Sequence, residues 1–338
     1  MPLEPVDCAA SGARPTADSG RNQAATPRLR LGTRASALAR WQADWVAAEL
    51  GRRGVQVEMI HVSTQGDVSS RPLGAIGGQG VFTKELQRAL LDGAIDLAVH
   101  SLKDLPTEPV PGLQLAAVPA RESTRDVFVS RVAGSIDALP ERARIGTGSV
   151  RRRAQLLHAR PDLQVSEIRG NVDTRLRKLD EGQYEAIVLA EAGLRRLGLG
   201  ERITQILPAE LMLPAAGQGA LGIEARSDDA PTLQTLAQLD HPVTHAAVLA
   251  ERALLTALHT GCLAPVGVWA RVDGGQLLLD ATVLSHDGRE RLSVSVAGPP
   301  EQAESLGQQA AADLLAHGAA QLIAASRQGC WPGAGEIR

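Results

Sequence analysis

Residues 144–160 read RIGTGSVRRRAQLLHAR. The order is a short apolar strand (Arg144 to Thr147), a Gly-Thr-Gly-Ser turn, and a helix from Val150 to Arg160. This strand-turn-helix order is the repeating element of an α/β domain. Ser149 suits the N-cap, because its hydroxyl can accept an orphan N–H of the first turn. That cap puts Arg151, Arg152 and Arg153 at the helix start, where each cation opposes the helix dipole by roughly 0.3–1 kcal/mol. A bound anion reverses that sign, since free backbone N–H groups and guanidinium forks then share one target. A solvated helix face is the plain alternative for any one of these arginines.

The same grammar extends in both directions. Leu29 to Thr33 reads as a strand and Ser36 to Leu50 as a helix with Trp41 and Trp45 on one face. Val55 to Val62 is a strand ending in the polar turn Thr64-Gln65-Gly66-Asp67. The glycine-rich stretch Gly74 to Gly80 leads to a helix from Thr83 to Leu91, and Ile95 to His100 is a buried-type strand leaving through Ser101-Leu102-Lys103-Asp104. Strands at Val127 to Ser130, Gln164 to Ile168 and Glu185 to Ala190, with a helix from Val172 to Glu181, continue the alternation toward mainly parallel sheets. The segments Leu31 to Ser36 and Ile145 to Ser149 each set a Gly-Thr turn and a serine between strand and helix. They read either as a trace of two similar halves or as chance similarity. The last third differs: a helix from Thr244 to His259, strands Val266 to Arg271, Leu277 to Leu284 and Leu292 to Val296, then an alanine-rich helix from Gln302 to Arg327. That order fits a small α+β domain.

Composition narrows the function. The 338 residues are 44% hydrophobic and 22% charged, enough apolar surface for folded domains, and the length suits two or three of them. No run of eighteen apolar residues occurs, so no membrane span is expected. A net charge of −3, a pI near 6.3 and seven aromatic residues argue against a nucleic-acid binder. Yet eight basic and three acidic residues lie between Arg151 and Lys178, so positive charge is focused there. Arg169 and Arg175 flank a second helix start and Arg195-Arg196 follow a third strand. Strand C-termini are where α/β sheets bind ligands, so a ligand with many carboxylates or phosphates is expected.

Asp104 is the odd carboxylate among these cations, suited to holding or moving a proton on an N–H-bearing ligand if it faces the cleft. An inconsequential surface Lys–Asp pair is the alternative. Cys8, Cys262 and Cys330 are odd in number and lack CxxC spacing, which speaks against a disulfide framework or structural zinc. Cys262, in the turn before Pro265, reads as a buried structural thiol; the alternative, a Cys–His pair with His259, has nothing in the pattern to orient it. Residues 1–27 lack an apolar block and carry acidic residues, so they read as a disordered extension and not a leader.

Seven segments, taken together, resemble the porphobilinogen deaminase (hydroxymethylbilane synthase) family: GTRASALA, GGQGVFTKEL, DLAVHSLKDLP, IGTGSVRRR, RGNVDTRLRKL, LPAAGQGALGIE and ERALLTALHTGCLAPVG, in the family's order from about Arg28 to Arg327. Departures fall at Gln79, Gly148, Thr260 and Ala264. The resemblance implies an α/β fold of two similar periplasmic-binding-protein-like domains plus a small α+β C-terminal domain. Its boundaries would be 28–122 with 217–240, 123–216, and 241–328. It implies a transferase acting as a cytoplasmic monomer in tetrapyrrole (porphyrin, heme) biosynthesis, with no nucleic-acid or membrane partner. Four porphobilinogen molecules would be condensed head to tail, with loss of ammonia, on a dipyrromethane cofactor held by a thioether to Cys262. Hydrolysis would then free hydroxymethylbilane.

By the same resemblance Asp104 is the catalytic carboxylate. Arg34, Ser36, Lys103, Thr147, Ser149, Arg151, Arg152, Arg169, Arg175 and Arg196 bind substrate and cofactor, with Phe82 beside a glycine-rich loop that serves as a lid or is a plain surface loop. No metal is implied. A non-enzymatic, two-domain small-anion-binding protein is the alternative reading.

Overall fold

The computed structural model describes residues 28–63, 83–261 and 264–328. The N-terminal extension, the turn at Thr64 to Asp67, the glycine-rich stretch, Phe82 and Cys262 lie outside the described residues.

The first part of the chain forms β1 (Arg28–Thr33), α1 (Ala37–Arg52), β2 (Gln56–His61), α2 (Lys84–Leu91), β3 (Leu97–Ser101) and β4 (Leu113–Ala117). Next come β5 (Asp126–Ser130), β6 (Arg144–Gly146), α3 (Val150–Ala159), β7 (Gln164–Ser166), α4 (Val172–Asp180), β8 (Ala186–Ala190), α5 (Glu191–Arg196) and β9 (Gln205–Ile206). The chain closes with β10 (Leu221–Arg226), α6 (Ala230–Ala237), α7 (Pro242–Ala257), β11 (Val266–Asp273), β12 (Gln276–Leu284), β13 (Arg291–Gly298), α8 (Ala303–Ala316) and α9 (Ala319–Gln328).

Two five-stranded sheets repeat one topology: β2-β1-β3-β10-β4 and β7-β6-β8-β5-β9. In each, three parallel strands are followed by one antiparallel strand, β10 or β5. That strand arrives across a crossover from the neighbouring unit, so 118–125 and 207–220 are the two connections between the units. The resemblance of the two Gly-Thr turns is therefore architectural: β1 and β6 hold the same place in their sheets. Gly32 and Gly146 are glycines because the next parallel segment presses on them. A Cβ on Gly32 would lie 2.3 Å from Ile95 Cδ1, and one on Gly146 would lie 3.0 Å from Tyr184 Cδ1. Ser36 and Ser149 each cap the following helix, accepting the N–H of Ala39 and of Arg152.

The central strands β3 and β8 are buried on both faces, as sheets covered by helices require. Helix α1 buries Gln42, Ala43, Val46 and Leu50 on the first sheet. Trp45 packs against that core, whereas Trp41 is 37% exposed and looks toward the second unit. The third unit is the antiparallel sheet β11-β12-β13. Alternate residues of β12, Leu277, Leu279, Ala281 and Val283, meet Leu254 of α7 and Ala310 and Leu314 of α8 in one core. The alanine-rich segment differs from its sequence reading: it forms two helices, because the chain turns at Gly318 with φ of +98°.

Candidate functional site

The arginines of α3 do not project into open solvent. Arg151 Nη1 donates to Asp126 Oδ2 at 2.7 Å and to the Leu213 carbonyl at 2.6 Å. Arg152 donates through Nε and Nη2 to Asp126 Oδ1 at 2.9 and 2.7 Å, and through Nη1 to the Val188 carbonyl at 3.0 Å. Asp126 opens β5 and is fully buried. Burial alone would raise its carboxyl; the charges and hydrogen bonds of the two guanidiniums outweigh that and hold it well below the usual carboxylate range. Thr147, also fully buried, accepts the Ser149 N–H at 3.2 Å and stiffens the turn.

Gln218, buried in the second crossover, joins this cluster to the first unit. Its Nε2 donates to Asp126 Oδ1 at 3.0 Å and to the Thr124 carbonyl at 2.8 Å, while its Oε1 lies 3.5 Å from Lys103 Nζ. Desolvation, reinforced by Arg152 and partly offset by Asp104 and Asp126, lowers the Lys103 amine to about 8. Arg151 and Arg152 thus meet one buried carboxylate, and Gln218 links Lys103 to the same cluster. Arg175 adds to it: its Nε donates to the Gly170 carbonyl at 2.8 Å, and desolvation and the field of Arg152 lower its guanidinium to about 10. A Cβ on Gly148 would lie 3.0 Å from the Ile168 carbonyl and 3.9 Å from Arg175 Nη2, so a serine there would crowd this corner. Arg169, half-buried, pairs with Glu167.

On the opposite wall, a pocket of about 70 Å³ is lined by Arg34, Ser36, Gln42, His100, Ser101 and Asp104. Gln42 donates to Ser101 Oγ at 2.8 Å, fixing the exit of β3. Asp104 ends the short 3-10 turn Leu102–Asp104 and is exposed. Its charge acts on both Lys103 and Arg175, which sets it at the junction of the two units. Below the wall, His100 Nε2 lies 2.8 Å from Glu224 Oε2, both buried. A larger cavity, about 300 Å³, lies away from this junction beside α3, lined by Gln155, His158, Glu210 and Arg291. None of the residues expected to bind substrate lines it, so the smaller pocket is the candidate site.

The structure therefore brings together Arg34, Ser36, Lys103, Asp104, Arg151, Arg152 and Arg175 about one junction. Arg196 is placed differently. Its Nη2 donates to the Gly219 carbonyl at 2.7 Å and its guanidinium carbon lies 5.7 Å from the Trp41 ring, so it ties α5 to α1 and to the crossover. Arg153 turns away to His286 of the third unit at 3.1 Å. Two residues at the centre, Asp126 and Gln218, were not read as site residues. Asp126 directly precedes the strand read from Val127, and Gln218 lies within the segment LPAAGQGALGIE; only tertiary contact reveals them. Among the described residues no group of three metal-ligating side chains occurs, and no helix is long and apolar enough to cross a membrane.

Fold and site together define a protein of two repeated α/β units with cationic side chains gathered at their junction and a third α+β unit appended. Two family models match it: the porphobilinogen deaminase dipyromethane cofactor binding domain over residues 29–234, and the porphobilinogen deaminase C-terminal domain over residues 245–316. The chain belongs to the porphobilinogen deaminase family. Similar relatives include the porphobilinogen deaminase of Desulforudis audaxviator, 52% identical over 88% of this chain and 98% of its own. Another is that of Acidithiobacillus ferrooxidans, 51% identical over 87% of this chain and 97% of its own. Among solved structures, the methionine binding protein MetQ aligns with a TM-score of 0.42 and 14% identity over 63% of this chain and 89% of its own.

Proposed function

We propose that this protein is a hydroxymethylbilane synthase, condensing four porphobilinogen molecules head to tail on a dipyrromethane primer, with release of ammonia and final hydrolysis. The observation that carries the proposal is the gathering of Lys103, Arg151, Arg152 and Arg175 at one junction beside the exposed carboxylate of Asp104. Each pyrrole of such a chain bears an acetate and a propionate, and a cluster of cations fits a group of that charge. Membership of the family does not favour the non-enzymatic alternative.

The roles follow from the chemistry of each side chain. Arg34, Lys103, Arg151, Arg152, Arg169 and Arg175 bind carboxylates, with Ser36, Thr147 and Ser149 beside them. Each charge-assisted hydrogen bond contributes about 1.5–3 kcal/mol, so several together retain a lengthening product without a covalent bond to each unit. Arg196 holds the two units in register and adds charge at their border. When bound to Cys262, the dipyrromethane cofactor supplies the pyrrole carbon that accepts the first new unit. Asp104 accepts hydrogen bonds from pyrrole N–H groups and stabilises positive charge as ammonia leaves, the electrostatic contribution that a preorganised carboxylate makes best. It also carries the proton that each substitution releases, a role that accounts for about 10²–10⁴ in rate. Phe82 borders the site in this reading. The functional units are 28–122 with 217–240, 123–216, and 241–328, and the enzyme acts as a cytoplasmic monomer without nucleic-acid or membrane partners.

Denaturing intact mass, with peptide mapping around Cys262, tests this directly. The expected result is an adduct of two linked pyrroles on that thiol, in purified protein or after incubation with porphobilinogen. A thiol that stays bare while porphobilinogen is not consumed overturns the assignment.

A further inference from the structure

Helix α7 carries adjacent charged residues, Glu251 and Arg252, to which the reaction above gives no part. Glu251 is fully buried, and its two oxygens accept Arg121 Nη1 at 2.8 Å, Arg121 Nη2 at 2.9 Å, the Gly217 N–H at 2.7 Å and the Ala270 N–H at 2.9 Å. Arg121 lies in the first crossover and Gly217 in the second, so one carboxylate fixes both connections to the third unit. Arg252 reaches elsewhere. Its Nη1 donates to the Leu105 carbonyl at 3.0 Å and its Nη2 to the Pro106 carbonyl at 2.7 Å. These are the first two carbonyls after Asp104.

The grip is double. Val248, one turn before Arg252 on α7, joins Leu102, Leu105, Val118 and Ala220 in a small apolar cluster. The turn carrying Asp104 is therefore seated on α7 by Leu102 and Leu105, and its exit is pinned by a planar fork. A guanidinium suits this task, because two N–H groups in fixed geometry set an orientation where a single donor sets only a distance. In sequence, α7 runs toward Cys262, ten residues after Arg252.

We infer that Arg252 is a positioning residue for Asp104: through the Leu105 and Pro106 carbonyls, the third unit sets where the catalytic carboxylate stands. The inference rests on the function proposed above. Its energetic logic is that a catalytic group displaced by about 1 Å can lose on the order of 10²-fold in rate while substrate still binds.

The test compares primer-loaded wild type with Arg252→Leu and Arg252→Lys, reading primer mass, melting temperature, and kcat and KM for porphobilinogen. Arg252→Leu is expected to keep its primer and lose about 10–100-fold in kcat with KM within about threefold. Arg252→Lys, whose ammonium cannot fork to both carbonyls, is expected to lose about 3–10-fold in kcat. In an Asp104→Glu background, where the carboxylate is already displaced, Arg252→Leu should cost less than about threefold, a non-additivity that a purely structural role would not produce.

A loaded Arg252→Leu enzyme with wild-type kcat overturns the inference, as does a rise in KM at constant kcat. If Arg252→Leu fails to fold, wild-type kcat in Arg252→Lys overturns it equally. Wild-type protein that consumes no porphobilinogen sinks the function itself; a working wild type with indifferent variants sinks only the role of Arg252.

Discussion

The β1–α1 and β6–α3 junctions share one plan and differ in the residues that follow the cap. Each has a strand, a Gly-Thr turn, a serine cap and a helix at the same place in its sheet. After Ser36 come Ala37, Leu38 and Ala39, and the wall they form opens toward the Asp104 carboxylate. After Ser149 come Val150, Arg151 and Arg152, and that wall stores guanidiniums on a buried aspartate. The two units repeat one backbone plan, and the three residues after each cap distinguish their walls. In the function proposed above, the first wall sets the Asp104 carboxylate beside the cations Arg34 and Lys103, while the second holds Arg151 and Arg152 on Asp126.

Removing each wall's carboxylate is the sharpest way to break this comparison. Asp104→Asn should lower kcat by about 10²–10⁴ while leaving the melting temperature and primer attachment nearly unchanged, since the side chain is exposed. Near-normal turnover would end the role proposed for Asp104. Asp126→Asn should act mainly on stability, costing about 3–5 kcal/mol because two buried guanidiniums lose their counter-charge. Denaturant unfolding measures it, and a variant as stable as wild type would show that the arginines are held by other means.

The same carboxylate gives a pH sign. Its native value is depressed, so its contribution is present above the unfolded value of about 3.9 and is lost as pH falls through the native one. Lys103 works in the other direction: with its native amine near 8, it sheds its charge as pH rises past that value. Folding stability should then gain between about 8 and 10.4, while anion binding weakens. KM for porphobilinogen should climb by up to about tenfold per pH unit above 8, and Lys103→Arg should flatten that limb. The smallest effect belongs to the seam between the walls. Trp41→Ala removes the ring beside Arg196, about 0.5–1 kcal/mol. Melting curves should register a shift of about one degree, and none would mean that the seam is held by Gly219 alone.

Much of this architecture was legible because it is local. Alternating apolar runs, serine caps and glycine turns place β1, α1, β6, α3 and the third unit within a residue or two of their observed ends. The misses share one cause, sequence distance. Asp126 meets Gln218 across 92 residues, and Arg252 meets Leu105 across 147, so no window of periodicity could pair them. Strand β10 enters between β3 and β4 for a similar reason: its partners are far upstream. The break at Gly318 was hidden by alanines on both sides, whose propensity argues for one long helix. Arg196, a ligand-binding residue by the resemblance, contacts Trp41 and a crossover carbonyl, partners that also lie far away in sequence.

The exchange of strands between the two sheets bears on how the molecule comes into being. The second sheet is complete once residue 206 has been made, because β5 to β9 are contiguous. The first, though begun at residue 28, lacks its fourth strand until residues 221–226 emerge. Until then β3 and β4 have no strand between them and show open edges, the kind of surface that invites wrong pairing. On the ribosome, the half encoded first is the half that closes last.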